Sequence, residues 1–302
     1  MSEPPKSPPL SVRPPLNRRL ASRVAKTLVR LVGQHPRIRS QVLRGLLDRH
    51  LAPDVLCLVP FSDHALYVDP RDDKVALKLL SGRPWQRREL NSVIATLKQA
   101  GRLKSGGVFV DVGANIGTQT VYALLSGEFT RAVAFEPEPH NLDILRRNLA
   151  VNGLDARATV INAAATSQPG TVQLAHHAKN LGAHSVEAAY VARPVDRIDV
   201  TAVRIDDALA EHGIAPQDVA LVKIDIEGHE MSALAGMERT LAARVPVMVE
   251  FTADASDTAR VAAFLGLFAT GYSHVMDLSA ESGPQSLNEF RWQGPQADLL
   301  IY

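Results

Sequence analysis

The sequence predicts an α/β protein built on a doubly wound, mostly parallel sheet. Three observations carry that prediction. From Val108 onward, short apolar runs alternate with helix-period segments, the pattern of repeated βα units. The stretch "VFVDVGANIGTQT", Val108 to Thr120, puts an apolar strand directly before a glycine turn and a helix. No helix of useful length separates the last two apolar runs, so they should pair antiparallel.

The elements before that sheet are of another kind. Residues 1–15 are rich in proline and form a flexible tail, too poor in apolar side chains to fold alone. Residues 16–53 are a basic helical extension. Leu16, Leu20, Val24, Leu28 and Leu31 fall on one helical stripe with Arg and Lys on the other faces, and His35-Pro36 breaks it. The first fifty residues hold eleven Lys and Arg against Glu3 and Asp48. Such a helix either packs on the domain that follows or makes peripheral contact with an acidic membrane surface or partner, and both readings stay open.

Residues 54–302 then form the α/β domain, opened by a small β element. "VLCLVPF", "ALYVDP" and "KVALKLL" predict a small antiparallel β element. Trp85 to Ala100 is a helix with Leu90, Ile94 and Leu97 inward. Val108–Asp111 is the first strand of the main sheet, followed by a helix over 115–125. Ala132–Glu136 is the second strand, and Leu142–Val151 a helix stopped by Asn152-Gly153. Thr159–Ala163 is the third strand, and Thr171–Leu174 is expected to pair with its continuation across "SQPG". A helix over 203–212, a strand over 219–226, a helix over 231–241, a strand over 247–251 and a helix over 259–270 follow. Tyr272–Leu278 and Asp298–Tyr302 close a sheet of about seven strands.

Composition narrows the function classes. The net charge of +1 gives no argument for nucleic acid, and none is expected as a partner. Cys57 is the single cysteine, so an internal disulfide framework is excluded, which fits a reducing compartment. No apolar run approaches the ~20 residues of a spanning helix. The N-terminus lacks the apolar stretch of a secretory signal, and although its Arg-rich, acid-poor character resembles a transit peptide, the cytoplasm is the expected location.

Ligands of doubly wound sheets bind beyond the C-terminal strand ends. Asp111, Glu136 and Asp225 lie at or near three such ends. Gly113 and Gly117 read as a turn that admits a ligand to the backbone. Glu136 follows the loop by about 20 residues, where an acid binds ribose hydroxyls. A dinucleotide site wants Gly-x-Gly-x-x-Gly, but the position two after Gly113 is Asn115. A P-loop ends in Gly-Lys, but Thr118 follows Gly117. The acidic rim suits a cation. S-adenosylmethionine fits, with a ribose, no phosphate, a sulfonium and an ammonium.

Three segments, "VFVDVGANIGTQT", "AVAFEPEPHNLDILRRNL" and "LVKIDIEGHE", together with "INAAATSQPGTVQL", resemble the FkbM-type branch of class I, S-adenosylmethionine-dependent methyltransferases. The likeness covers roughly 69–251. It implies a Rossmann-like sheet of seven strands with the last antiparallel, and mostly O-methylation of small molecules, sugars or lipid-linked glycans. It also implies that Gly113, Asn115, Gly117 and Glu136 line the cofactor, and that Asp225 and Glu227 stand beside the donor methyl group. An alcohol needs a base near the moment of transfer. Asp225, Glu227 and His229 are the candidates. The alternative roles are donor binding for Asp225, helix capping for Glu227 and an inert exposed ring for His229. The stretch from His176 to Pro194 is the expected acceptor loop. His176, His177 and His184 lie in or beside it without a carboxylate spaced as a co-ligand, so no metal is expected. Glu250 either faces the acceptor or caps the turn after its strand.

Two other functions compete. A dinucleotide-binding oxidoreductase lacks its second glycine here and a Tyr-x-x-x-Lys pair. A non-catalytic scaffold would not need the intact glycine loop and rim acids. Neither the acceptor nor the oligomeric state is legible in the sequence.

Overall fold

A computed structural model describes residues 55–177, 181–182, 184–187, 191, 194–280 and 283–302. The tail and basic helix expected over residues 1–53 lie outside the described residues.

The chain enters through an antiparallel hairpin, β1 (Cys57–Pro60) and β2 (Ala65–Val68). "KVALKLL", expected as a strand, is instead the short helix α1 (Val75–Leu80). The Asp72 carboxylate accepts the Ala76 N–H at 2.6 Å and the Lys74 N–H at 3.3 Å, which caps a helical turn. Val75, Ala76 and Leu79 then share one buried side. Helix α2 (Arg87–Gln99) buries Leu90, Val93, Ile94 and Leu97.

The main sheet comprises β3 (Gly107–Val112), β4 (Phe129–Phe135), β5 (Ala158–Ile161), β9 (Val219–Ile224), β10 (Val247–Thr252), β11 (His274–Asp277), β12 (Gln285–Ser286) and β13 (Gln296–Ile301). Their order is β12-β11-β13-β10-β9-β3-β4-β5. The five strands from β10 to β5 are mutually parallel. Strand β13 enters antiparallel between β10 and β11, with Val247 opposite Ile301 and Val275 opposite the same Ile301. The two-residue β12 adds an edge the sequence did not announce. Every residue of β3 and β9 is buried, as befits central strands.

Helices cover both faces. Val108, Val110, Val112, Val222 and Ile224 pack against α5 (Ile205–Glu211), α6 (Glu230–Ala235), α7 (Glu238–Ala242) and α8 (Thr258–Gly266). Phe109, Ala132 and Ala134 face α2, α3 (Thr118–Leu125) and α4 (Pro139–Val151) on the other side. Helix α4 also secures the hairpin. Asn148 accepts the Tyr67 N–H at 2.5 Å and donates to the Tyr67 carbonyl at 3.0 Å, and Asn152 does the same at Ala65. Two amides four residues apart thus satisfy the edge of β2 as a neighbouring strand would.

Two further expectations are corrected. The helix over 231–241 is broken into α6 and α7 at Gly236. A Cβ there would sit 2.2 Å from the Thr166 carbonyl, and Asp206 caps the second piece through the Arg239 and Thr240 N–H groups at 2.6 and 3.2 Å. The hairpin across "SQPG" does not form. β6 (Ala164–Ala165) and β7 (Gly170–His177) both pair instead with β8 (Pro194–Val203), which lies between them. Strand β8 is an element that the sequence reading above does not contain. No helix among the described residues is long and apolar enough to cross a membrane.

Candidate active site

Strand order reverses around β3, which has β4 on one side and β9 on the other. The cavity lies over that switch point and encloses about 560 Å³ of empty space, part of it open to solvent. Val112, Gly113 and Asn115 form its floor from β3, Phe135, Glu136 and Pro137 one wall from β4, and Asp225, Ile226 and His229 another from β9. Leu174 of β7, with Leu181, Gly182, His184 and Val186, contributes the cover. The expected acceptor loop therefore does reach the cavity.

The glycine loop is shaped by the protein before any ligand. Gly113 has φ +77, and a Cβ there would lie 2.0 Å from the Asp225 carbonyl. Gly117 has φ +82, and a Cβ there would lie 3.1 Å from Leu145 Cγ of α4. Both glycines thus answer to close backbone and helix packing, and Gly117 is not part of the cavity wall. Asn115 adopts a left-handed φ of 52, which asparagine tolerates better than most side chains. Its N–H donates to Glu136 Oε2 at 2.7 Å. Its Oδ1 is buried and has no hydrogen-bond partner among the described residues.

Glu136 is 5% exposed, and its Oε1 accepts the Glu138 N–H at 2.9 Å. Burial pushes its carboxyl up to about 7, against the opposing pull of the Glu138 and Asn115 N–H donors.

Asp111 is fully buried and lies behind the cavity wall rather than on it. Its Oδ2 accepts the Thr120 hydroxyl at 2.6 Å, and its Oδ1 faces Lys223 Nζ at 3.4 Å. Lys223 also donates to the Gly113 carbonyl at 3.2 Å and stands 3.5 Å from Asp225 Oδ2. Burial opposes the lysine charge, but Asp225 and Asp111 outweigh it and raise its pKa. Lys223 is not among the candidate residues marked from the sequence. A lone lysine in an otherwise apolar strand was the available signal, since a buried charge requires partners.

Beyond Asp225 the rim is acidic. Asp225, Glu227 and Glu250 present carboxylate oxygens within 4.8 Å of one another. Glu250 stands opposite Asp298 in the β10–β13 ladder. Burial, then Asp225, push Glu227 up to about 7 and Asp298 up to about 6. Glu250 is raised by the same causes, with Asp298 and Glu227 adding to it. Glu227 has φ 52. The turn that follows it is closed by Glu230, whose Oε1 accepts the Gly228 N–H at 2.7 Å. His229 is 12% exposed at its side chain, with Nδ1 2.9 Å from Glu187 Oε1.

One of the loop histidines, His176, meets carboxylates that its spacing did not reveal. His176 Nδ1 is 2.8 Å from Asp196, and its Nε2 is 3.7 Å from Glu138. Burial, then the neighbouring His176 and His177, push His184 down to about 4, so it lines the cavity as a neutral ring.

A doubly wound sheet with an inserted antiparallel strand, and an acid past its second strand beside a cavity over the switch point, defines the class I methyltransferase architecture. The chain belongs to the FkbM methyltransferase family. The Methyltransferase FkbM domain matches residues 111–274, more than half of the 302 residues. The chain is 30% identical over 178 residues to 31-O-demethyl-FK506 methyltransferase FkbM of Streptomyces tacrolimicus, covering 50% of this chain and 67% of that one. It is 28% identical over 182 residues to the hexuronic acid methyltransferase AglP of Haloferax volcanii, covering 56% and 66%. A solved methyltransferase FkbM from Methylobacillus flagellatus KT aligns at 18% identity with a TM-score of 0.44, over 88% of this chain and 59% of that chain. The chain thus spans about two thirds of the length of these curated relatives.

Proposed function

We propose that this methyltransferase uses S-adenosylmethionine to methylate a hydroxyl on a small molecule or a sugar. The observation that carries the reading is the pairing of Glu136 with Asn115. A buried carboxylate and an unpartnered amide oxygen line one end of a cavity whose walls there include Phe135, Pro137 and Ala163. That chemistry suits a nucleoside, with hydroxyls for the acid and apolar surface for the base. The residues present fit the group. Glu136 would hold the ribose hydroxyls, Asn115 Oδ1 would accept from a ligand donor, and Asp225 would favour positive charge. Asp111 and Gly117 support the site from behind, the first through Lys223 and the second through α4.

When bound, S-adenosylmethionine supplies an electrophilic methyl group on a sulfonium. The chain's own residues then align an acceptor hydroxyl, exclude water and take a proton. Leu181, Gly182, His184 and Val186, which line the cavity, would limit access of water to it. His229, at the opposite wall from Glu136, is the candidate to receive the hydroxyl proton at Nε2. Asp225 and Glu227 shape the field around it.

The two curated relatives named above act, by name, on 31-O-demethyl-FK506 and a hexuronic acid. A test follows their chemistry. The chain is incubated with methyl-labelled S-adenosylmethionine and a panel of hexuronic acid glycosides and alicyclic alcohols. Label in an alkali-stable ether supports O-methylation. Label released by mild alkali would indicate an ester, and none on any acceptor with intact cofactor binding would favour a scaffold.

A further inference from the structure

The geometry points to Glu187 as the positioning residue that holds His229 in the tautomer able to take the acceptor's proton. The inference deepens the proposed function and rests on it. Glu187 comes from the loop that follows β7, and His229 from the turn before α6. Nothing in the sequence couples the two positions, which lie 42 residues apart.

The contact is built from several hydrogen bonds. Ser185 is fixed on β7 by reciprocal backbone hydrogen bonds with Ala175, at 2.9 and 3.2 Å. Its hydroxyl donates to the Glu227 carbonyl at 2.6 Å, which ties the loop to the turn that carries His229. The same oxygen accepts the Glu187 N–H at 2.9 Å. Glu187 Oε1 is thereby brought 2.9 Å from His229 Nδ1. A carboxylate can only accept in that contact, so Nδ1 carries the proton and donates it. The other nitrogen, Nε2, is then a lone-pair acceptor. It is buried, has no hydrogen-bond partner among the described residues, and belongs to a side chain that lines the cavity.

The proton balance is simple. As the acceptor oxygen bonds to the methyl carbon and the carbon–sulfur bond breaks with its electron pair left on sulfur, the hydroxyl proton passes to His229 Nε2. The Nδ1 proton stays on its hydrogen bond to Glu187. The imidazolium later releases the Nε2 proton to water. Glu187 does not line the cavity, and half its side chain is exposed. Its effect is therefore modest, on the order of 10- to 100-fold in rate, as for other outer partners that orient a histidine.

The test uses the full chain labelled with nitrogen-15. Long-range proton–nitrogen spectra report the tautomer of each imidazole, and His229→Gln assigns the signal. We expect His229 to hold its proton on Nδ1 in the parent chain, to lose that preference in Glu187→Ala, and to regain it in Glu187→Asp. The affinity for S-adenosylhomocysteine, measured on the same samples, should be equal in all three. With any acceptor that takes label in the panel above, Glu187→Ala should lower kcat 10- to 100-fold and leave KM unchanged. An Nε2–H tautomer in the parent chain, or an unchanged Nδ1–H tautomer in Glu187→Ala, would overturn the role of Glu187. Failure of the parent chain to bind S-adenosylhomocysteine would instead remove the methyltransferase-site reading on which it rests.

Discussion

Lys223 stands 3.4 Å from Asp111 and 3.5 Å from Asp225, between the first and fourth parallel strands of the family core. Its ammonium joins a carboxylate that is wholly buried to one that lines the cavity. Lys223→Met leaves Asp111 without its cation. Removing one partner of a buried pair costs ~3–5 kcal/mol, and urea unfolding should show a loss of that order. Lys223→Met combined with Asp111→Asn should recover part of it, because no buried charge is then stranded.

The glycine loop yields a sharper comparison. Gly113→Ala drives a methyl group into the Asp225 carbonyl and also forces a left-handed φ of +77. Left-handed backbone costs roughly 1–2 kcal/mol and overpacking roughly 1–3. Gly153 has φ +66 with nothing within 4 Å, so Gly153→Ala should cost only about 1 kcal/mol. Denaturant midpoints of the two variants decide whether close packing or backbone conformation fixes Gly113.

Asn148 holds β2 and also donates to the Ile116 carbonyl at 2.7 Å, so one amide ties the entry hairpin to the glycine loop. Asn148→Leu keeps the volume and strands buried backbone groups at Tyr67 and Ile116. Three backbone groups lose their partner, so a loss of about 3 kcal/mol or more is expected, at roughly 1–3 for each unsatisfied group. Calorimetric unfolding measures it.

The acidic rim makes stability depend on pH. Glu227 and Asp298 are raised to about 7 and about 6 in the folded chain, above ordinary carboxylate values. The folded state therefore binds more protons than the unfolded state between about pH 4.5 and 7, and stability falls as pH rises through that window. Asp69 works in the opposite direction. Hydrogen bonds from His140 and Arg71 overcome its burial and hold it well below the usual range, so its contribution is lost only as the medium becomes strongly acidic. The ligand-free chain should melt lower at pH 8 than at pH 5.5, and Asp298→Asn should flatten that difference. A steady rise in melting temperature up to pH 8 would contradict the assignment.

The parallel core was legible because its strands are buried on both faces and read as apolar runs, each broken by one charge: Asp111 in Val108–Val112 and Lys223 in Val219–Ile224. The strand Pro194–Val203 was missed although Ile198, Val200 and Ala202 alternate with Arg197, Asp199 and Thr201. It was hidden because its neighbours Ala164–Ala165 and Gly170–His177 are close in sequence and suggest pairing with each other. "KVALKLL" is too short for its period to separate strand from helix, and the Asp72 cap decided the matter. In the site, Glu136 and Asn115 were marked by spacing. Lys223 and Glu187 were not, because each acts through a contact made across 40 residues or more.

The central claim is that Glu136 and its loop bind the nucleoside of S-adenosylmethionine. Titration calorimetry with S-adenosylhomocysteine on the parent chain and on Glu136→Ala tests it directly. The account predicts micromolar binding to the parent chain and at least a 100-fold loss in the variant, about 2.7 kcal/mol. Equal affinity in the two proteins, or no binding to either alongside binding of a nicotinamide dinucleotide, would contradict it.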